Sequence, residues 1–211
     1  MPKRYFIAIE GVIGVGKTSL ARLLQPSFEA ETVLEIVEEN PFLSSFYQDQ
    51  AKYAFQTQIF FLLSRFRQMQ VSAPDILTRS NVLSDYLLAK DCIFAELTLN
   101  RDELDMHRRL FPILASELPV PDLVVYLQAS TDALMARIAQ RDRPFERAMS
   151  RPYIDRLNLA YEEFFRGFAD APLLKLNVNQ MDFVRNADDL REIADRIRAK
   201  LAVGQFQQQL L

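Results

Sequence analysis

The sequence contains very little glycine. Only 5 of its 211 residues are glycine, whereas average usage predicts about fifteen in a chain of this length. Three of the five, Gly11, Gly14 and Gly16, lie within six positions near the N-terminus. Since glycine permits backbone conformations that other residues avoid, this short segment is the first candidate for a function carried by the backbone itself.

Cysteine and histidine are also scarce, with one residue of each, Cys92 and His107. A single cysteine excludes a disulfide within the chain, and one residue of each type cannot supply the four ligands of a structural zinc site. Both residues fall in segments predicted as helix. We therefore expect a buried thiol at Cys92 and a surface imidazole at His107.

The chain lacks both a large excess of one charge and a long apolar run. Its formal net charge is −3 and it has no basic stripe, so a nucleic-acid polymer is not an expected partner. The apolar run at residues 59–63 is far too short to span a bilayer. We expect no membrane partner and a location in the reducing cytoplasm.

What the chain does have is the composition of a globular protein, with 49% hydrophobic and 25% charged residues. No linker or internal repeat divides it, which favours a single domain over residues 1–211. Apolar runs predict strands at 5–9, 32–37, 82–83, 123–127 and 173–178. Helices are predicted at 16–28, 50–71, 86–97, 102–117, 131–140, 153–168 and 188–203. This alternation predicts an α/β fold with a five-stranded parallel sheet flanked by helices.

Residues 11–18 fit the phosphate-loop pattern G-x-x-x-x-G-K-[ST] without a mismatch. A predicted strand precedes the motif and a predicted helix follows it. Backbone N–H groups of such a loop surround the phosphates of ATP, while Lys17 supplies a cation and the Thr18 hydroxyl a ligand for Mg²⁺. The ATP-binding residues predicted here are Gly11, Gly14, Val15, Gly16, Lys17, Thr18 and Ser19.

A dinucleotide-binding loop is the alternative for this segment. Gly14-x-Gly16 also begins the pattern G-x-G-x-x-G, and Glu35 follows at the required distance of about twenty residues. Ser19 stands where that pattern needs its third glycine, which rejects it. The scarcity of glycine also removes the D-x-x-G switch of GTPases and the adjacent glycines of the ABC-type signature. A small-molecule kinase with a lid that supplies arginines remains.

Four further segments, together with the phosphate loop, resemble the deoxynucleoside kinases, especially the bacterial deoxyadenosine/deoxyguanosine kinase branch. They are Glu35–Leu43, Phe46–Asp49, Phe55–Arg65 and Arg137–Glu146. The resemblance covers nearly the whole chain. It implies a P-loop NTPase fold with an arginine-rich lid at about residues 140–150, and transfer of the ATP γ-phosphoryl group to the 5′-hydroxyl of a deoxynucleoside. It also implies a homodimer, which the apolar predicted helices favour independently.

Two acidic positions match the family's transfer machinery. The resemblance implies that Glu35 is the general base toward the 5′-hydroxyl, and Glu38 and Glu39 are the alternatives for that role. Asp85 follows a buried strand and is expected, with Thr18, to hold Mg²⁺. Capping a helix is a second possible role of Asp85, and the two roles are compatible.

The arginine-rich segment 137–143 is the lid candidate. Arg137 and Arg141 are four residues apart on a predicted helix and so share a face. We expect both to bind ATP, and Arg141 and Arg143 to join Lys17 in stabilising the transferring phosphoryl group. Alone, such a run is typical of a solvated helix end, but its pairing with a phosphate loop favours function.

The sequence departs from the family pattern at one position. Family members usually read Glu/Asp-Arg-Ser after the third strand, and this chain reads Asp85-Tyr86-Leu87. The resemblance implies that the family arginine helps to place the 5′-oxygen and the phosphate. Tyr86 occupies this substrate-binding position. Candidates to replace the missing charge are a lid arginine, Lys90 and Arg79.

The nucleoside pocket is assigned from the resemblance. Tyr47 and Glu146 match the pair that contacts the sugar 3′-hydroxyl, and Gln58 matches the glutamine that reads the base. Arg65 and Asp91 match the paired residues of relatives that take purines or deoxycytidine, which favours purine deoxynucleosides over thymidine. The alternative for Arg65 and Asp91 is a surface ion pair of little energetic weight.

Two other functions compete with a deoxynucleoside kinase. A thymidylate-type monophosphate kinase needs an arginine for the acceptor phosphate near the first acidic segment, and residues 35–46 contain none. A non-catalytic nucleotide-binding protein would explain Tyr86 as a mark of lost activity. The retained Glu35, Asp85 and lid arginines speak against that alternative.

Overall fold

The computed structural model describes residues 3–208, which form an α/β fold around one sheet. The strands are β1 (Phe6–Gly11), β2 (Ala30–Val33), β3 (Asn81–Ser84), β4 (Leu123–Gln128) and β5 (Leu173–Asn177). The helices are α1 (Lys17–Phe28), α2 (Leu43–Gln48), α3 (Gln50–Leu77), α4 (Lys90–Thr98), α5 (Arg101–Ala115), α6 (Thr131–Arg141), α7 (Arg151–Arg166) and α8 (Ala187–Gln208). Two short 3-10 turns cover Val37–Glu39 and Pro144–Glu146.

The strands lie in the order β2-β3-β1-β4-β5, and every neighbouring pair is parallel. β1 is buried along its whole length and β4 along nearly all of its length, because helices cover both faces of the sheet. The predicted five-stranded parallel sheet and P-loop NTPase fold are confirmed. Since the chain leaves β1 toward one side and later returns to the other, the carboxyl end of β1 is a switch point where ligands bind.

A buried carboxylate ties the end of β1 to the loop after β3. Glu10 is fully buried and accepts hydrogen bonds from the N–H groups of Gly11 and Leu87, both at 2.8 Å. The hydroxyl of Tyr161 on α7 donates to the same carboxylate at 3.2 Å. These bonds fix the position of the loop after β1 relative to the loop after β3.

The second strand ends earlier than predicted, at Val33 instead of residue 37. Val33 pairs with Ser84, the last residue of β3, so the ladder has no further partner to offer. The N–H of Glu35 donates instead to Oδ1 of Asp85 at 2.7 Å. Glu35 therefore stands on a loop, at the edge of the sheet where β2 and β3 end.

The helix predicted from residue 86 begins only at Lys90. The N–H of Leu87 is engaged by Glu10 and the carbonyl of Tyr86 accepts from the hydroxyl of Ser84 at 2.6 Å, so the intervening residues form a turn. Within residues 3–208, no helix has both the length and the apolar composition to cross a membrane.

Candidate active site

The phosphate loop connects β1 to α1 and depends on its glycines. Gly14 and Gly16 have φ angles of 85° and 106°, a region that side chains disfavour. A Cβ atom at Gly14 would lie 2.7 Å from Cγ1 of Ile138 on α6. The loop can therefore curl only because both positions lack a side chain, which leaves its N–H groups available for phosphate oxygens.

Lys17 lies across this loop at the start of α1. Its Nζ atom donates to the carbonyl oxygens of Gly11 at 2.6 Å and Val12 at 3.2 Å. Burial and, after it, the nearby charge of Lys90 lower the pKa of Lys17, surrounding carboxylates partly offset them, and the net pKa is about 8. Phosphate oxygens would favour the charged form of this lysine.

Thr18 and Asp85 form the candidate metal position. The Thr18 hydroxyl donates to Oδ2 of Asp85, whose carboxylate is almost fully buried. A hydroxyl and a carboxylate are the oxygen ligands that Mg²⁺ prefers beside substrate phosphates. Within residues 3–208, no cluster of three or more histidine, cysteine or acidic side chains could hold a metal alone. The pair therefore suits a cation that arrives with phosphates.

Glu35 is held between two cations. Its Oε1 accepts from Nε and Nη2 of Arg65 at 2.7 and 2.6 Å, and its Oε2 accepts from Nζ of Lys90 at 2.9 Å. Burial alone would raise the pKa of Glu35, but the positive charges of Arg65, Lys90 and Lys17 outweigh burial and hold it well below its ordinary value. Glu35 is therefore ionised at neutral pH.

Behind this carboxylate, α3 and α4 form the end of the cavity that suits a nucleobase. Gln58 donates through Nε2 to the backbone carbonyl of Asp91 at 3.0 Å, which leaves its carbonyl oxygen for another donor. Arg65 pairs through Nη1 with Oδ1 of Asp91. The Arg65–Asp91 pair is buried, so the alternative of a surface ion pair is wrong.

The expected surface imidazole at His107 is also wrong. His107 is 1% exposed, and its Nε2 lies 2.9 Å from Oδ2 of Asp91. Its ring stacks on Phe111, one helical turn further along α5, with centroids 5.9 Å apart. The spacing of His107 and Phe111 was the available signal that both face inward. Cys92 is half-buried instead of buried.

The opposite wall of the cavity is aromatic. Tyr47 on α2 packs edge-on against Phe46 and Tyr153, with ring centroids 5.2 and 6.4 Å apart. Burial raises the pKa of Tyr47, and the neighbouring groups Tyr153 and Glu146 raise it further, so its hydroxyl keeps its proton as a donor. Glu146, 4% exposed, faces the same wall.

Two buried hydroxyls in this cavity have no hydrogen-bond partner among residues 3–208. They are Oγ1 of Thr57 and the phenol of Tyr153. Buried polar atoms are nearly always paired, so two unpaired hydroxyls in one cavity call for a polar ligand or an ordered water. Neither residue was predicted from the sequence, because a threonine and a tyrosine on amphipathic helices look like ordinary core positions.

The lid follows α6 and carries the predicted arginines. Arg137 donates to the carbonyls of Val15 at 3.2 Å and Val178 at 2.9 Å, so it supports the phosphate loop from outside. Arg141 pairs with the carboxylate of Glu146. Arg143 lies 3.4 Å from Glu38 in the turn after β2.

Most of the predicted site residues meet in one cavity of about 250 Å³. Those that line it are Gly14, Lys17, Thr18, Glu35, Tyr47, Gln58, Arg65, Asp85, Arg141, Arg143 and Glu146. An adjoining cavity of about 470 Å³ is lined by Val15, Gly16, Ser19 and Arg137, and shares Gly14 and Arg141 with the first. Asp91 and Tyr86 lie behind the wall of the first cavity, and Gly11 lies beneath the loop.

Known proteins resemble this chain in sequence and in fold. The family model described as deoxynucleoside kinase matches residues 7–202. A deoxyguanosine kinase of Bacillus subtilis (strain 168) is 36% identical over 198 residues, which cover 92% of this chain and 96% of that protein. A deoxyadenosine/deoxycytidine kinase of the same strain is 30% identical over 205 residues, 93% of each chain. The structure of deoxyadenosine kinase from M. mycoides with bound dATP matches with a TM-score of 0.80 and 26% identity, over 92% of this chain and 100% of that one.

Proposed function

The chain belongs to the deoxynucleoside kinase family, and from that premise we propose how its residues carry out the reaction. It is an ATP-dependent enzyme that moves the γ-phosphoryl group of ATP to the 5′-hydroxyl of a deoxynucleoside, with purine deoxynucleosides favoured. In our proposal the cavity beside Glu35 takes the deoxynucleoside, and the adjoining cavity takes the adenosine part of ATP. The phosphates lie on the loop between them.

One observation carries this proposal: the Glu35 carboxylate and Lys17 of the phosphate loop line the same cavity. An acceptor hydroxyl bound beside Glu35 would face a phosphoryl group bound on the loop. The orphan hydroxyls of Thr57 and Tyr153 support a polar acceptor in that cavity, since a deoxynucleoside has donors and acceptors on both its base and its sugar.

In the proposed step, Glu35 accepts the proton of the 5′-hydroxyl as the oxygen attacks the γ-phosphorus. Gln58 and Arg65 face the base, and Asp91 acts through Arg65 by holding its guanidinium group. Tyr47 and Glu146 face the sugar. Arg141 and Arg143 of the lid turn from their acidic partners toward the phosphates, where their donors stabilise the developing charge.

Thr18 and Asp85 would hold Mg²⁺, because their oxygens adjoin the phosphate loop. When bound, the cation neutralises charge on the β- and γ-phosphates. Removal of divalent cations with EDTA should abolish turnover, and added Mg²⁺ should restore it. Turnover that persists in EDTA would contradict a metal requirement.

The direct test is a product assay with purified protein. The protein is incubated with ATP-Mg²⁺ and, separately, each deoxynucleoside and each deoxynucleoside monophosphate, and products are separated by chromatography. We expect monophosphates from deoxyguanosine or deoxyadenosine in preference to thymidine. Diphosphates formed only from monophosphates would favour the thymidylate-type alternative, and no product from any acceptor would favour a non-catalytic protein.

The role of Glu35 is tested by Glu35→Gln. Loss of the proton acceptor should lower kcat about 10²- to 10⁴-fold, while ATP affinity, measured by calorimetry, stays near the wild-type value. Glu39→Gln is the matched control, because Glu39 is an exposed acid in the turn that follows. A larger loss in the control than in Glu35→Gln would assign the base to the turn instead.

We also propose a homodimer formed through α3 and α5, which pack against each other. Both helices expose large apolar side chains, Leu63 and Val71 on α3 and Met106 and Ile113 on α5. Such exposed apolar surface is typical of an interface. Light scattering should give twice the chain mass of 24.4 kDa; the mass of one chain would contradict the dimer. Location in the cytoplasm stays a prediction.

A further inference from the structure

The transfer step calls for positive charge beside Glu35, and the residue after Asp85 does not supply it. Phosphoryl transfer spreads negative charge over several oxygens, which cations stabilise. Tyr86 is fully buried and turned away from the cavity, with its hydroxyl donating to Oε1 of Gln68 at 3.0 Å. The position therefore offers no cation to the reacting groups.

The arginines considered as sources of positive charge beside Glu35 all pair with other acidic residues. The pairs are Arg79 with Glu31 and Asp75, Arg141 with Glu146, and Arg143 with Glu38. Arg79 is also half-exposed and lies outside the cavity. Arg65 does bind Glu35, but Asp91 holds its guanidinium group at the nucleobase end of the cavity. Lys90 is the remaining candidate.

Lys90 contacts Glu35 and lines the same cavity as Lys17 and Thr18 of the phosphate loop. Its Nζ atom lies 2.9 Å from Oε2 of Glu35, the oxygen that Arg65 leaves free. The side chain lines the cavity with only 5% of its surface exposed. Its charge acts on Lys17 strongly enough to lower the pKa of that lysine, second only to burial. Lys90 therefore contacts the proposed general base inside the cavity that the phosphate loop also lines.

The helix dipole does not favour a cation at the position of Lys90. Lys90 is the first residue of α4, where the positive end of the helix dipole repels a positive charge. The turn before it is fixed by the bond from the Leu87 N–H to buried Glu10. A rigid turn therefore holds a buried lysine against Glu35 at a position that the helix dipole does not favour, as is expected of a functional group.

We propose that Lys90 is a catalytic residue of the transfer step, a role that rests on the proposed function above. Before the acceptor binds, its ammonium group donates to Oε2 of Glu35. With the acceptor present, the same group donates to the 5′-oxygen and to the incoming phosphoryl group. The bond from the 5′-oxygen to the γ-phosphorus forms as the bond from that phosphorus to the β–γ bridging oxygen breaks. The hydroxyl proton passes to Glu35, and ADP leaves.

The test compares substitutions that remove or keep the charge. Lys90→Gln should lower kcat about 10²- to 10³-fold, with the KM for ATP within about threefold of the wild-type value because the phosphate loop is unchanged. Lys90→Arg should keep roughly tenfold more turnover than Lys90→Gln, since it restores the positive charge. Lys52→Gln is the matched control, because Lys52 is an exposed lysine on α3, and it should behave as wild type.

Circular dichroism establishes that each variant is folded, and Lys90→Met replaces Lys90→Gln if the glutamine variant is not. If the wild-type protein phosphorylates deoxynucleosides, a kcat of the uncharged variant within about threefold of wild type would overturn the role of Lys90. The proposed function would stand. Equal turnover of Lys90→Arg and the uncharged variant would overturn it as well. A wild-type protein that phosphorylates no deoxynucleoside would instead overturn the proposed function.

Discussion

The nucleobase end of the cavity, formed by α3 and α4, and the lid differ in how their charged side chains are paired. At the nucleobase end, Arg65, Asp91 and His107 are buried and bonded to one another. In the lid, Arg147 pairs with Asp142 while about three-fifths of each side chain stays exposed. A buried charge cannot lose its partner without a large loss of stability, whereas an exposed pair exchanges its partner at little cost. Under the proposed function, the site combines a rigid end for the nucleobase with an adaptable end for the phosphates.

Asp91→Ala should have the largest effect on the buried end of the cavity. Removal of this carboxylate leaves Arg65 and His107 without their shared acceptor, which should lower the free energy of unfolding by about 3–5 kcal/mol. Arg147→Ala, which removes an exposed ion pair of the lid, should cost at most about 1 kcal/mol. Urea denaturation measures both. Equal losses would show that the two ends do not differ in rigidity.

Arg141→Gln tests the adaptable end through catalysis. This lid arginine should contribute to the transition state, so its loss should lower kcat about 10²-fold. Because its partner Glu146 is buried, the free energy of unfolding should also fall, by less than for Asp91→Ala. Arg166→Gln is the control, because Arg166 is an exposed arginine at the end of α7. A change in stability without a change in kcat would assign Arg141 a structural role.

Gly14→Ala gives the smallest of the three effects and tests the phosphate loop between the two ends. The new Cβ would lie 2.7 Å from Ile138, at a φ angle of 85° that alanine disfavours. We expect a loss of about 2 kcal/mol in the free energy of unfolding together with weaker ATP binding. Gly167→Ala, with no atom within 4 Å of the new Cβ, is the control. Wild-type ATP affinity in Gly14→Ala would contradict a rigid loop.

The phosphate loop was predictable because its function is local. Residues 11–18 carry the motif, the glycines and the helix start within one short segment, and the geometry there follows from backbone chemistry. The alternation of strands and helices predicted the sheet for the same reason, because each apolar run by itself indicates a buried strand.

The partners of Glu35 and Asp91 were not predictable in this way. His107 contacts Asp91 only because α5 packs against α3 and α4, and no local sequence pattern predicts that contact. Lys90 could be proposed as a substitute for the missing arginine, but its contact with Glu35 depends on the turn that Glu10 fixes. Both contacts depend on how separate elements pack, which a one-dimensional pattern does not contain.

The two cavities share Gly14 and Arg141, and this common boundary has a consequence for inhibitor chemistry. One molecule that carries a nucleoside at each end of a polyphosphate chain would occupy both cavities with its chain on the loop. Its second half would bind at a high effective concentration, because the first half is already in place. The length of the polyphosphate that binds most tightly would then serve as a molecular ruler of the distance between donor and acceptor.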